Sequence, residues 1–254
     1  MAIDLKIGII GGSGLEDPNL ISNSSAKEIS TPFGEPSSPL VFGKIANVPI
    51  IIISRHGLKH TINPSKVNYR ANIWALKDQG CSHILAATAC GSLREEIEPG
   101  HFIFPNQFID RTTKRDNTFY EGPDVKHTPM GNPFSESIRK CLIDSCEALN
   151  LKFHKKGTLV TIEGPRFSTQ AESIMFRSWG CDIINMSTVP EIILARELDM
   201  KYQSIAMSTD YDCWRKNEDE VSMEMIYSVM KKNVNNVKKL IKYTVPLIKK
   251  NMQE

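Results

Sequence analysis

No charge of either sign dominates this chain: 31 Lys and Arg stand against 29 Asp and Glu over 254 residues, a formal net charge of +2. Proteins that coat nucleic acid or anionic lipid carry a strong positive field, so neither nucleic acid nor a membrane is expected as a partner. Long hydrophobic runs are missing too. The longest, from Val48 to Ile53, falls far short of the ~18 apolar residues of a membrane span. The N-terminus, Met-Ala-Ile-Asp-Leu-Lys, lacks the basic region, apolar core and small-residue cleavage site of a secretory leader. A cytoplasmic protein is expected, with the nucleus as the alternative. Cys81, Cys90, Cys141, Cys146, Cys181 and Cys213 never form a C-x-x-C pair, and each lies in or beside an apolar or helical segment. Reduced, mostly buried thiols are therefore expected rather than a disulfide framework or a zinc site. Internal repeats, low-complexity linkers and charge blocks are also lacking, which leaves a single domain over residues 1–254. With 41% hydrophobic residues, that domain has the apolar surface for a sizeable core.

What the chain does have is an alternation of strand-like and helix-like segments. Apolar runs at 6–11, 40–46, 48–54, 81–90, 102–109, 158–162, 181–186 and 202–209 read as strands, the second and third joined by a hairpin at Asn47. Helical spacing covers 68–80, 134–149, 170–179 and 190–198. A long helix runs from near Glu220 to about Lys242, and Pro246 is expected to end or kink it. Within it, Ile226, Met230, Val234, Val237 and Ile241 make one apolar stripe backed by a solvated lysine face. The alternation predicts an α/β fold, a mixed and mostly parallel sheet with helices on both sides.

Each candidate site falls at the end of a predicted strand, where open α/β sheets hold their ligands. Gly11-Gly12-Ser13-Gly14-Leu15 lacks the Lys-Ser/Thr of a P-loop. It has Asp17 where a dinucleotide fingerprint has its third glycine, and Leu15 where a nucleophile elbow has glycine. It remains a glycine turn, either purely structural or a cradle for an anion. Ser54-Arg55-His56-Gly57 offers a guanidinium matched to phosphate oxygens and a further imidazole donor, or else an Arg that pairs with a carboxylate. Thr88-Ala89-Cys90-Gly91-Ser92 and Asn185-Met186-Ser187-Thr188 add hydroxyls at two more strand ends, so several ends converge on one anion. In Thr209-Asp210-Tyr211-Asp212, two carboxylates project the same way if the backbone is extended. No His or third carboxylate completes a metal set there. An amino-bearing heterocycle or a turn cap are the other readings.

Blocks at 8–15 (GIIGGSGL), 55–57 (RHG), 64–69 (PSKVNY), 88–96 (TACGSLREE), 161–168 (TIEGPRFS), 185–191 (NMSTVPE) and 209–214 (TDYDCW) follow one another in fixed order. Together they make the sequence similar to the 5′-methylthioadenosine phosphorylases, a branch of the trimeric purine nucleoside phosphorylases. The resemblance implies phosphate held by Ser13, Arg55, His56, Thr88 and Ser187, with Ala89 contributing backbone. It places Met186 against the ribose and Phe167 and Ser168 beside the purine. Asp210 and Asp212 would read the base edge, and as aspartates they favour a 6-aminopurine, adenine. In the implied reaction phosphate attacks C1′ of an oxocarbenium-like sugar. Asp210, its pKa raised by a second carboxylate in a poorly solvated pocket, holds or shares the proton at N7 of the departing base. Met223 and Ile226 would line an apolar 5′ pocket finished by His127 of a neighbouring subunit in a homotrimer. Phosphate is the co-substrate, and neither cofactor nor metal is implied. Ser13 and Ser187 stand where relatives often carry threonine, and the segment 122–126 is shorter than in animal relatives. The chain also stops at Glu254, short of a tail that several relatives lend to the adjacent site. These departures bear on the tolerance for larger or more polar 5′ groups. The alternatives are a 6-oxopurine or broad adenosine-type phosphorylase of the same fold, a hydrolytic nucleosidase, and a non-catalytic nucleotide-binding module.

Overall fold

The isoleucine run before Arg55 shows no polar alternation because it becomes a strand covered on both faces. In the computed structural model, which describes residues 5–11, 20–215 and 222–252, eleven strands share one sheet. They are β1 (Ile7–Gly11), β2 (Ser22–Lys27), β3 (Leu40–Ile45), β4 (Val48–Ser54), β5 (His83–Ser92), β6 (Phe102–Ile103), β7 (Gln107–Arg111), β8 (Phe153–His154), β9 (Thr158–Ile162), β10 (Ile183–Asn185) and β11 (Lys201–Asp210). Five helices accompany them: α1 (Tyr69–Asp78), α2 (Glu136–Ala148), α3 (Gln170–Ser178), α4 (Thr188–Glu197) and α5 (Met223–Asn251). The main path runs β2-β3-β4-β1-β5-β10-β9-β7, with β11, β6 and β8 leaving from the other edge of β5. Pairing is parallel for β1 with β4 and β5, for β5 with β11, and for β9 with β10 and β7. The sheet is therefore mixed and mostly parallel, as expected.

Successive side chains on the central strands enter opposite cores. Ile7, Ile9, Ile50, Ile52 and Leu85 pack with α2 and α5, whereas Ile10, Ile51, Ile53, Ile84 and Ala86 pack with α1 and α4. Gly8 faces the second core, where a Cβ would sit 2.8 Å from Leu76 Cδ1, so the glycine lets α1 lie close on β1. The hairpin at Asn47 forms as expected: Ala46 and Asn47 carry φ of +48° and +63°, the left-handed pair that matches the twist of β3 and β4.

Three expectations need correction. The single strand over 102–109 is two, because Pro105 has no N–H for the ladder; β6 pairs with β11 and β8, while β7 pairs with β9. The terminal helix neither ends nor breaks at Pro246 but continues to Asn251. Val245 and Ile248, on either side of the proline, are buried in the same core as Val237, Leu240 and Ile241, and Thr244 Oγ1 donates to Ser145 Oγ at 2.8 Å. That burial offsets the one backbone bond the proline cannot make. The expected start at Glu220 lies outside the described residues. Finally, β2 escaped the sequence reading because Ser22–Lys27 is polar and exposed throughout, an edge strand with no hydrophobic period. The cysteines are free, and all but Cys213 are buried.

One irregularity positions everything that follows. Along one edge of β5, β1 pairs with His83 to Ala86 and β10 with Gly91 and Ser92. Between them the stretch 87–90 has no strand partner on that side among the described residues, while β11 continues unbroken on the other.

Candidate active site

Arg55 reaches this opening from the end of β4. Its backbone N–H bonds to Gly11 O at 2.9 Å, tying the end of β4 to the end of β1. Its guanidinium is only 3% exposed and forks onto Glu191 of α4, with Nε to Oε1 at 2.5 Å and Nη2 to Oε2 at 3.1 Å, while Nη1 donates to Ala87 O at 2.9 Å. The cation thus spans the gap left by the missing strand. Among the described residues each Nη keeps a second N–H for a ligand. The carboxylate partner weighed in the sequence exists, but it is buried rather than on the surface. Because strand groups alternate sides, Ala89 presents its backbone N–H to the same open edge as Ala87. Ser13 lies outside the described residues.

His56 follows directly. Burial first, and then the Arg55 cation, push its imidazole down to about 4 against the raising effect of its bond to Ile62. At neutral pH it is therefore an uncharged ring, with Nδ1–H donated to Ile62 O at 2.9 Å. A carbonyl can only accept, so Nε2 carries a lone pair and accepts from a ligand; this differs from the donor expected.

Thr88 and Ser187, far apart in sequence, meet with their hydroxyls 2.9 Å apart. Asn185 assembles them. Its Nδ2 donates to Thr88 Oγ1 (3.2 Å) and Thr188 Oγ1 (2.8 Å), and its Oδ1 accepts from Thr161 Oγ1 (2.9 Å) and the Ser187 N–H (3.4 Å). Ser187 is the N-cap of α4 and makes no side-chain cap bond, so its hydroxyl is directed to Thr88 instead. Both lie where the opening in β5 meets the end of β10.

Across β5 stand the two aspartates. Asp210, buried at the end of β11, accepts the Thr209 hydroxyl at 2.7 Å and the Asp212 N–H at 2.8 Å. Asp212 has φ of +51°, so the backbone turns and the extended geometry assumed for the pair does not hold. The Asp212 carboxylate takes the Ser168 hydroxyl on both oxygens, at 2.5 and 2.7 Å. Half-buried Phe167 adjoins it on the β9–α3 loop. A Cβ on Gly91 would come 3.0 Å from Asp210 Oδ1 and 3.3 Å from Asp212 Cβ, so glycine admits this cluster. Met186 packs against the same loop: a Cβ on Gly164, which has φ of +69°, would fall 2.5 Å from its sulfur.

The rim residues divide. Met223 and Ile226 open α5, and Tyr227 of that turn meets the His60 ring edge-on at 6.2 Å; His60 in turn lies 4.6 Å from His56. The start of α5 is thereby brought beside His56. His127 is not. It is exposed, and its neighbour Lys126 bonds Glu197 O (2.5 Å) at the C-terminal end of α4. Ser187 stands at the other end of α4, beyond the break from helical backbone at Val189 (φ −104°, ψ 130°).

Sequence reasoning missed four members. Asn185 and Glu191 stood inside recognised blocks, and a polar residue at the end of an apolar run was the signal available for each. Glu163 stood inside the 161–168 block, at the end of the run 158–162, and Arg115 alone gave none. Arg115, almost fully buried, bonds Glu163 Oε1 (3.1 Å), Glu163 O (2.6 Å), Val189 O (2.6 Å) and the Tyr69 hydroxyl (3.1 Å). Burial would raise the Glu163 carboxyl, but the Ser65 hydroxyl, the Thr113 N–H and Arg115 hold it down to about 2. Among the described residues no cluster of three or more His, Cys, Asp or Glu is arranged to hold a metal, and no helix is long and apolar enough to cross a membrane.

Comparison with known proteins gives a consistent picture. The family model described as Phosphorylase superfamily matches residues 6–246. The S-methyl-5′-thioadenosine phosphorylase of Xenopus tropicalis is 55% identical over 250 residues, covering 96% of this chain and 89% of that protein. Its namesake from Drosophila melanogaster is 50% identical over 253 residues, covering 98% and 88%. Among solved structures, the methylthioadenosine phosphorylase of Schistosoma mansoni in complex with adenine superposes with a TM-score of 0.92 at 45% identity, covering 96% of this chain and 92% of that one. A variant of the adenosine/methylthioadenosine phosphorylase from the same organism, in complex with methylthioadenosine, superposes with a TM-score of 0.91 at 44% identity, covering 96% and 91%.

Proposed function

The chain belongs to the phosphorylase superfamily, in its S-methyl-5′-thioadenosine phosphorylase branch, and on that premise we propose how this site works on 5′-methylthioadenosine. The reaction is phosphorolysis to adenine and 5-methylthioribose 1-phosphate, a step of purine and methionine salvage. The observation that carries the reading is the opening in β5: Arg55, Thr88 and Ser187, drawn from three distant stretches, converge there beside Asp210 and Asp212.

Phosphate lies along the open edge, held by Arg55, His56, Thr88, Ser187, the Ala89 N–H and Ser13. Few charges are needed, because fixed N–H and O–H donors do most of the holding, while His56 Nε2 accepts from a protonated phosphate oxygen. The nucleoside sits across β5 with its ribose on Met186 and its purine by Phe167 and Ser168. Cleaving the glycosidic bond leaves positive charge on the sugar, facing the phosphate, and negative charge on the purine, facing Asp210. A proton held between Asp210 and N7 neutralises the leaving base. The carboxylates of Asp210 and Asp212 accept from a 6-amino group, whereas a 6-oxo group would meet them acceptor to acceptor; this favours adenine over hypoxanthine or guanine.

Met223 and Ile226 line the 5′ pocket, and His127 of a neighbouring subunit completes it. The position of His127, beside Lys126 at the end of α4 away from Ser187, supports that division. A homotrimer follows from this reading, as does one phosphorylase domain over the chain, in keeping with the family match over 6–246. A cytoplasmic setting accords with the free cysteines. Phosphate is the co-substrate, with no cofactor.

The test is a product assay with methylthioadenosine, with and without phosphate. Adenine released only when phosphate is present is expected. Release without phosphate would establish a nucleosidase, and faster turnover of inosine a 6-oxopurine enzyme. Binding without turnover would leave a nucleotide-binding module. Sedimentation of the full chain tests the trimer.

A further inference from the structure

The fork between Arg55 and Glu191 has a third member. Tyr202, on β11 and 1% exposed, donates its hydroxyl to Glu191 Oε2 at 2.9 Å, the oxygen that Arg55 Nη2 reaches at 3.1 Å. Glu191 is fully buried, and its two oxygens are thus occupied by a guanidinium fork and a phenol. Burial, then the Glu191 charge, pushes the Tyr202 phenol well up, so it stays the donor. Such a triad is a poor device for stability alone, since well-packed apolar groups of similar volume commonly do as well or better. Its location is what distinguishes it. Arg55 is the cation spanning the opening in β5, and a guanidinium without a fixed partner would be free to rotate about its long side chain.

We infer that Glu191 and Tyr202 are positioning residues for the phosphate reaction: together they fix the plane of the Arg55 guanidinium, so that its remaining N–H groups point into the opening in β5. The inference rests on the reading of Arg55 as a phosphate ligand.

The experiment is a double-mutant cycle on the full chain. Tyr202→Phe keeps the ring and the Arg55–Glu191 pair and removes one hydrogen bond. It should raise KM for phosphate about 2- to 10-fold, the worth of one such bond, with KM for methylthioadenosine unchanged at saturating phosphate. Arg55→Lys, which cannot fork, should raise KM for phosphate further. In the Arg55→Lys background Tyr202→Phe should add nothing, because it acts through the fork. Isothermal titration of inorganic phosphate into Tyr202→Phe measures the same loss of affinity independently of turnover. An unchanged KM for phosphate in Tyr202→Phe, or full additivity in the double variant, overturns the positioning role and leaves a structural one. An unchanged KM for phosphate in Arg55→Lys overturns instead the placement of phosphate on Arg55.

Discussion

Replacing Asn185 by alanine removes a hub that touches the anion site only through its neighbours. The amide serves four groups: the hydroxyls of Thr88, Thr161 and Thr188 and the N–H of Ser187. Thr88 keeps bonds to Ser187 and to Ala89 O, so its hydroxyl is not orphaned. The Ser187 N–H loses a long contact of 3.4 Å, which contributes little. Thr161 and Thr188 are 0% and 1% exposed, so bulk solvent is not in contact with either hydroxyl in the parent packing. Two buried hydroxyls left unpaired cost about 1–3 kcal/mol each, so Asn185→Ala should destabilise by about 2–6 kcal/mol. In a chain of this size that lowers Tm by roughly 5–20 °C. The surviving enzyme should show a KM for phosphate raised up to about tenfold, or roughly 1.4 kcal/mol, because the Thr88 hydroxyl loses the Asn185 Nδ2 donor that orients it. Differential scanning calorimetry with and without phosphate, followed by initial rates over a phosphate series, makes the measurement. A Tm within experimental scatter of the parent, together with an unaltered KM for phosphate, would refute the hub.

Three further outcomes are expected. Asp210→Ala should lower turnover of methylthioadenosine by about 10²–10⁴, the usual worth of a positioned proton donor, with the far-UV spectrum preserved; near-normal turnover sinks its assignment. Gly164→Ala forces a Cβ to 2.5 Å from the Met186 sulfur at φ of +69°, so KM for the nucleoside should rise while KM for phosphate holds, and equal KM values would count against Met186 as the ribose wall. Stability should also depend on pH with a definite sign. His56 and His83 are both pushed down to about 4 by burial, with Arg55 and Lys201 as the respective second causes. The unfolded chain takes up those protons near 6.5, so stability is fully present above that pH and is lost as pH falls from 6.5 towards 4. Urea titrations across that window should show a falling midpoint that His83→Gln makes shallower, and a flat midpoint would contradict it.

The legible parts of this fold were those written in local pattern. The isoleucines of β4 announce a strand, and Arg55 and His56 at its end announce a site, because sheet topology places ligands there. The illegible parts depend on partners distant in sequence. That Arg55 would be forked by Glu191 follows from the packing of α4 against the sheet, and nothing near Arg55 encodes it. The turn at Asp212 is a tertiary choice too: its left-handed φ is stabilised by the bonds to Asp210 and Ser168, neither of which an alternation rule contains. Pro246 misleads for the reverse reason, since a strong local signal is overridden by burial of Val245 and Ile248.

The opening in β5 changes how bound phosphate relates to folding. A strand edge with bare amides is ordinarily an invitation to another strand, and here, among the described residues, it lies between β1 and β10. On the proposed placement, phosphate seated there would stand in for the missing rung of the ladder. Each turnover would then empty this opening, and the next phosphate would refill it. Phosphate should accordingly raise the melting temperature in proportion to its occupancy, making the resting stability of the protein a gauge of the phosphate around it.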